Sequence, residues 1–340
     1  MAAQELYDTA RTIVADNRGI LAADESTGTI KKRFDSIAVE STEESRRFYR
    51  NLLFTTPGME EYIGGVILYD ETIRQASDDG TPFAQLLAAK NVVPGIKVDA
   101  GAKDLALHPG ETVTEGLDGL RERLSEYFEL GARFAKWRAV ITIGDGIPTD
   151  ACLDANAHAL ARYAALCQEA GVVPIVEPEV LMDGDNTIET CYEVTARTLA
   201  ALYAQLFAQG VDLRGTLLKP NMVIAGKGCP TQDSAERVAE RTIDCFLRHV
   251  PAAVPGVVFL SGGQSEVQAT ENLNAINRVG GPWPLSFSYG RALQASALDA
   301  WRGDAGNLEA AQAAFLHRAR MNSLAVAGEW NADVEELVAA

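Results

Sequence analysis

Residues 172–223 read VVPIVEPEV, then LMDGDNTIETCYEVTARTLAALYAQLFAQGVDLR, then GTLLKPNMV. The first and last pieces are short, β-branched apolar runs, and residues 186–209 between them have the length and period of an amphipathic helix. Strand, helix, strand is the signature of a parallel pair. The same alternation runs through the chain, with further short runs at 19–24, 62–70, 92–99, 134–141, 257–263 and 285–290. Helical segments such as 150–170 and 231–249 lie between them. Eight strands separated by helices predict an α/β fold of the closed (β/α)8 barrel type rather than an open sheet. No low-complexity tract, internal repeat or Pro/Ser-rich linker interrupts residues 1–340, so one domain is expected, with extra terminal helices at 4–17 and 304–325. Ser41 followed by Glu44 predicts a capping box that opens the helix through SRRFYRNLL.

Composition narrows the partners. With 340 residues and 47% hydrophobic content the chain can bury a sizeable core. No stretch approaches the ~18–20 apolar residues of a membrane span, and the N-terminus has neither a basic nor an apolar signal region, so a soluble cytoplasmic protein is expected. The formal charge of −17 argues against nucleic acid or an anionic membrane as partner. It also means that any phosphorylated ligand would need a local concentration of positive charge. Five scattered cysteines without a CxxC pair predict reduced thiols. The four histidines show no metal-ligand spacing, and no metal or other cofactor is expected.

Parallel barrel strands are ordinarily continuous apolar runs, yet most of these carry polar residues towards their C-terminal ends. They are Asp24, Lys97, Lys136 with Arg138, Glu177 with Glu179, Lys219, Ser261 and Ser288. In this fold that end is where sites are assembled. Side chains at i and i+2 share a face, so Lys136 and Arg138 flank Trp137, and Glu177 and Glu179 flank Pro178. Either pair would equally serve as a buried ion pair that only fixes barrel register. Lys219 poses the sharper question. An edge-strand lysine would snorkel to water; one held in a pocket beside Lys136 would be pushed towards the neutral, nucleophilic amine. Such an amine attacks a ketone to give a carbinolamine and then an iminium, an electron sink that permits cleavage of the adjacent carbon–carbon bond. Glu177 or Asp24 could move the protons if its surroundings bring its pKa towards neutrality.

LSGGQS (260–265) and SYGRA (288–292) each end a strand with glycine before a helix, a setting in which backbone N–H groups approach an oxyanion. Arg291 could add a bidentate clamp. Ser26, Thr29, Lys32 and Arg33 after the first strand and Lys97 on the third form a second basic grouping, read as the opposite flank, although KKR at 31–33 also fits a solvated helix face. Two groupings predict a substrate charged at both ends. GxGxxG, GxxxxGK[ST] and GxSxG are absent, and GKG at 226–228 is too short to carry meaning.

GILAADESTGTIKKR, EESRRFYRNLL, IGGVILYDET, GIKVD, FAKWR, VPIVEPE, GTLLKPNMV, FLSGGQSE, LNAIN and FSYGRALQASAL, taken in order, span nearly the whole chain. The sequence so read resembles the class I fructose-bisphosphate aldolases. That resemblance implies metal-independent, reversible cleavage of fructose 1,6-bisphosphate to dihydroxyacetone phosphate and glyceraldehyde 3-phosphate, in a homo-oligomer, often a tetramer. It implies Lys219 as the Schiff-base lysine, Glu177 as the acid/base that dehydrates the carbinolamine, Asp24 as the group at the C4 hydroxyl and Lys136 as an aid to carbinolamine chemistry. Arg138 and Glu179 would orient these. Ser261, Gly262, Gly263, Ser288, Gly290 and Arg291 resemble one phosphate site; Ser26, Thr29, Arg33 and Lys97 resemble the other end, where the family often has serine in place of Thr29. One departure is visible. Many members finish on a tyrosine that serves proton exchange, whereas here the sequence closes with GEWNADVEELVAA and its last tyrosine is Tyr289. A shorter tail, water or another group of the site would then take that role. The rival readings are a transaldolase-type transfer on another ketose phosphate, a non-catalytic phosphosugar-binding scaffold, and a metal-dependent aldolase, against which the dispersed histidines speak.

Overall fold

Phe134 decides how the middle of the barrel is filled. In the computed structural model, which describes residues 3–336, ten strands are present. They are β1 (Gly19–Ala22), β2 (Ile63–Leu68), β3 (Val93–Lys97), β4 (Ala102–Asp104), β5 (Thr112–Thr114), β6 (Phe134–Ile141), β7 (Val173–Val180), β8 (Leu217–Leu218), β9 (Val257–Phe259) and β10 (Leu285–Tyr289). Eight of these close into a parallel barrel in the order β1, β2, β3, β6, β7, β8, β9, β10, and β4 and β5 pair antiparallel outside it. All eight expected runs become barrel strands. The expected run 215–223 shrinks to two strand residues, because Pro220 has no N–H to continue the ladder. Lys219 N still donates to Val176 O at 2.9 Å, so the lysine leaves β8 directly at its C-terminal end.

The ring of Phe134, fully buried, lies inside the barrel where Gly95 leaves room, whereas Phe287, between Ser286 and the mouth-lining Ser288, turns outward beside Tyr289, where Gly19 leaves room. A Cβ on Gly19 would stand 2.5 Å from the Phe287 ring, and one on Gly95 would overlap Phe134. Below Phe134 the helix α1 (Ala3–Ile13) turns its apolar stripe Leu6, Ala10 and Ile13 onto the N-terminal end of the barrel, joining Ile20, Ile67, Val173, Ile175, Leu217 and Val258 in one cluster. The floor is therefore sealed by apolar side chains, which leaves the C-terminal end as the open one. Of the extra terminal helices expected, α1 covers most of 4–17, and Leu308–Val326 matches 304–325 with a short 3-10 turn before it.

Two helices after β1 and before β2 bear on the site. The helix α2 (Thr27–Asp35) buries Ile30 and Phe34, and α3 (Glu43–Phe54) buries Tyr49 and its neighbours. Phe34 meets Tyr49 edge-on at 5.7 Å, and Tyr49 stacks on Trp301 at 5.2 Å, so α2 is locked in place by aromatic contacts. The capping box of α3 lies one residue later than expected. Thr42 is the cap: its hydroxyl accepts from Ser45 N at 3.0 Å, and Ser45 Oγ accepts from Thr42 N at 2.9 Å. Ser41 instead offers its carbonyl to Arg46.

At the other terminus Trp330 is buried, with its backbone N–H on Asn274 Oδ1 and its indole N–H on Glu335, which also pairs with Arg318. The expectation that a short tail takes over proton exchange falls on residues after Trp330, of which 337–340 lie outside the described residues. Among the described residues no helix is long and apolar enough to cross a membrane.

Candidate active site

The sealed floor and the polar strand ends leave a mouth of about 730 Å³ at the C-terminal end of the barrel. Its lining includes all sixteen residues to which the resemblance gives a role, Lys219, Glu177, Asp24, Lys136, Ser26, Thr29, Arg33, Lys97, Arg138, Glu179, Ser261, Gly262, Gly263, Ser288, Gly290 and Arg291, and Lys32 besides. Lys219 is not a snorkelling surface residue, since its side chain is only 5% exposed.

A line of charges crosses the mouth. Glu177 Oε1 is 3.1 Å from Lys219 Nζ, and its Oε2 is 3.4 Å from Lys136 Nζ without the alignment of a hydrogen bond. Lys136 Nζ is in turn 2.8 Å from Asp24 Oδ2 and 3.8 Å from Asp99 Oδ2. One carboxylate thus bridges two amines, and the amines are not equivalent. Lys136 faces three carboxylates, whereas Lys219 faces one. Burial pulls the Lys136 pKa down, but Asp24, Glu177 and Asp99 outweigh it and hold the ammonium above the usual lysine range. For Asp24 burial acts upwards, and Lys136, Lys219 and Lys97 overrule it, bringing the carboxyl to about 2. Of the two carboxyls named as possible acid/bases, Asp24 therefore does not meet the condition of a pKa near neutrality: three lysines keep it ionised.

Alternation on β6 and β7 puts the pairs where the sequence predicts. Trp137 turns outward against Tyr163, with ring centroids 5.5 Å apart, while Lys136 and Arg138 face the mouth. Arg138 pairs with Glu179 across the strands. Lys97 ends β3 beside Lys136, in register with it, and its Nζ is held by Asp99 Oδ1 at 2.6 Å.

Two expectations about the anion-binding groups are corrected. The basic groupings are not on opposite flanks, because β1 pairs with β10 and closes the ring. Arg33 from α2 consequently reaches Gly290, its Nη2 3.4 Å from where a Cβ would stand. Only Lys97 lies further round. Gly262 and Gly263 also do not enter a helix directly. They adopt φ of +58° and +96°, and the next helix starts at Glu266 behind its cap Ser265. Gly290, by contrast, is followed at once by the helix Arg291–Trp301. Ser288 Oγ is buried without a hydrogen-bond partner, an unused donor facing the mouth.

Three residues of the site escape the sequence reading. Glu25, its side chain 4% exposed, clamps Arg33 Nη1 at 2.5 Å and Arg50 Nη2 at 2.6 Å and accepts from Gln294. Asp99 orients Lys97 and also accepts from Arg138 N. Lys227 lines the mouth from a loop. Glu25 and Asp99 lie just beyond strand ends, where alternation no longer predicts direction, and Lys227 sits in a tripeptide without periodicity.

Comparison with known proteins gives the family. A family model described as "Fructose-bisphosphate aldolase class-I" matches residues 5–340. The chain is 59% identical over 332 residues to a protein of Xanthomonas campestris pv. campestris named "Probable fructose-bisphosphate aldolase class 1", covering 97% of this chain and 99% of that one. It is 54% identical over 330 residues to "Fructose-bisphosphate aldolase C-B" of Danio rerio, covering 96% and 91%. A solved structure of fructose-bisphosphate aldolase from Plasmodium falciparum, in complex with TRAP and a small-molecule inhibitor, superposes with a TM-score of 0.95 at 51% identity, covering 97% of this chain and 96% of that one.

Proposed function

The chain belongs to the class I fructose-bisphosphate aldolases, and on that premise we propose that Lys219 supplies the amine of its Schiff base. The enzyme cleaves fructose 1,6-bisphosphate reversibly to dihydroxyacetone phosphate and glyceraldehyde 3-phosphate. The observation that carries the residue assignment is the Glu177 carboxylate bridging the two amines. Lys136 is committed to three carboxylates as an ammonium, so Lys219 is the amine left to react.

Lys219 Nζ attacks the C2 ketone. Glu177, 3.1 Å away, takes a proton from that nitrogen and returns it to the carbinolamine hydroxyl, which leaves as water. The resulting iminium withdraws electrons from C3. Asp24, ionised at neutral pH, accepts the proton of the C4 hydroxyl as the C3–C4 bond breaks. The bonding pair passes into the enamine and C4 becomes the aldehyde of glyceraldehyde 3-phosphate. Protonation at C3 and hydrolysis then free dihydroxyacetone phosphate and Lys219. The Lys136 ammonium gives a proton to the oxyanion that develops as the amine adds, forming the carbinolamine hydroxyl, and recovers one from Asp24, 2.8 Å away, after cleavage; Arg138 with Glu179 keeps the neighbouring strand ends in place.

One phosphate is taken by Ser261, Gly262, Gly263, Ser288, Gly290 and Arg291, and the other by Ser26, Thr29, Arg33 and Lys97. The orphaned Ser288 hydroxyl and the positive φ of the two glycines support the first set. A cytoplasmic homo-oligomer, tetrameric as in many of the family, is part of the same proposal, and light scattering measures it. Replacement Lys219→Met tests the assignment. Cleavage should fall by several orders of magnitude in a protein that still unfolds cooperatively, and retained wild-type turnover would overturn it.

A further inference from the structure

We propose that Lys227 is a phosphate-binding residue of the mouth, a second cation set beside Arg291 over the turn at Gly262 and Gly263; the inference rests on the aldolase reading and adds a substrate contact to it. The residue lies in Gly226-Lys227-Gly228, a tripeptide that says nothing as sequence. In the fold its backbone is stitched to the loop that follows β7. Gly226 N donates to Asn186 O at 2.8 Å, Lys227 N to Met182 O at 2.8 Å and Gly228 N to Gly184 O at 2.9 Å. A Cβ on Gly226 would collide with Gly184 O, so this close approach needs glycine. The loop is thus fixed, and with it the origin of the lysine side chain.

From there Lys227 extends over Gly263. Its Cε stands 2.8 Å from where a Cβ of Gly263 would be, and Arg291 Nη2 stands 2.8 Å from the same point. Two cations from separate elements meet at one glycine whose left-handed conformation shapes the turn beneath them. Like charges so placed repel unless an anion lies between them. Among the described residues Arg291 has no carboxylate partner within 4 Å, and Lys227 has only Asp183, at 2.7 Å. That pair is half-exposed on both sides, 43% and 65%, and a surface pair of this kind contributes little. A phosphate ester carries about −1.5 to −2 charges, so it displaces Asp183 as the partner of Lys227. In a chain of net charge −17 such a local cation offsets the unfavourable long-range field.

The test uses the purified full-length enzyme, with fructose 1,6-bisphosphate as substrate and inorganic phosphate as competitive inhibitor. Lys227→Met should raise KM by about 10-fold, weaken inhibition by phosphate by a similar factor and leave most of kcat, as expected for one charge-assisted contact. Lys227→Arg should restore KM, and Asp183→Asn should not raise it. Unchanged KM and inhibition in Lys227→Met would overturn the proposal, and so would an Asp183→Asn variant with the same defect, because then the ion pair merely ties two loops. Borohydride trapping of the wild-type enzyme on Lys219 separates the two levels: its failure sinks the Schiff-base assignment, whereas KM and phosphate inhibition, read on whatever cleavage the enzyme shows, report on Lys227.

Discussion

Substitution Glu25→Gln keeps the volume of the side chain and removes its charge, and the structure gives the consequence. Glu25 is the carboxylate partner of Arg50, whose side chain is 3% exposed and whose Nε and Nη1 already lack hydrogen-bond partners. Taking one member from a buried ion pair costs about 3–5 kcal/mol, because the other charge stays desolvated. With an unfolding entropy of about 2 cal/mol/K per residue, 340 residues correspond to about 0.7 kcal/mol/K, so Tm should drop by about 4–7 °C. The same carboxylate holds Arg33, which is 23% exposed and free to swing into solvent once released. KM for fructose 1,6-bisphosphate should therefore rise together with the loss of stability. Differential scanning fluorimetry and steady-state kinetics read the two effects. The pair Glu25→Leu with Arg50→Met, which removes both buried charges, should recover most of the Tm but not the KM. A Glu25→Gln enzyme within about 1 °C of wild type would refute the energetics of the pair, and one that melts early with wild-type KM would refute the positioning of Arg33.

Asp24→Asn should lower kcat by about 10²–10⁴-fold. Raising the pH should not rescue it, because the wild-type group is already ionised throughout the assay range. The same residue predicts an acid dependence of stability. Its folded pKa of about 2 lies below the ordinary 3.8, so its contribution, on the order of 2 kcal/mol, is present above about pH 4 and fades as pH falls towards 2. Urea midpoints of wild type and Asp24→Asn should converge over that window, and a gap independent of pH would contradict the lysine-held carboxylate. In the barrel interior Gly95→Ala should destabilise by about 1–3 kcal/mol or more through overlap with Phe134. Gly28→Ala, in a helix with nothing within 4 Å of the new Cβ, should stabilise by about 0.5–1 kcal/mol.

The sequence made the barrel legible because a buried parallel strand must be apolar nearly throughout and a polar residue at its end stands out. Lys136, Glu177 and Lys219 were visible for that reason, and alternation told which neighbours share their face. What stayed hidden follows from closure and from loops. That β1 meets β10, so that Arg33 abuts Gly290, is a property of the ring that linear order inverts. Glu25 and Asp99 act from just past strand ends, where period two gives no direction. The ionised state of Asp24 depends on three lysines from β3, β6 and the end of β8, so no local reading contains it. Thr42 rather than Ser41 caps α3 because Ser45 Oγ supplies the reciprocal bond that the expected Glu44 does not.

The most direct measurement is the mass of the enzyme after borohydride reduction in the presence of dihydroxyacetone phosphate, in buffer containing EDTA. The account predicts one reduced triose phosphate adduct per chain, localised by peptide mapping to Lys219, with activity lost in proportion. An adduct on Lys136, or no adduct while EDTA abolishes cleavage, would contradict it.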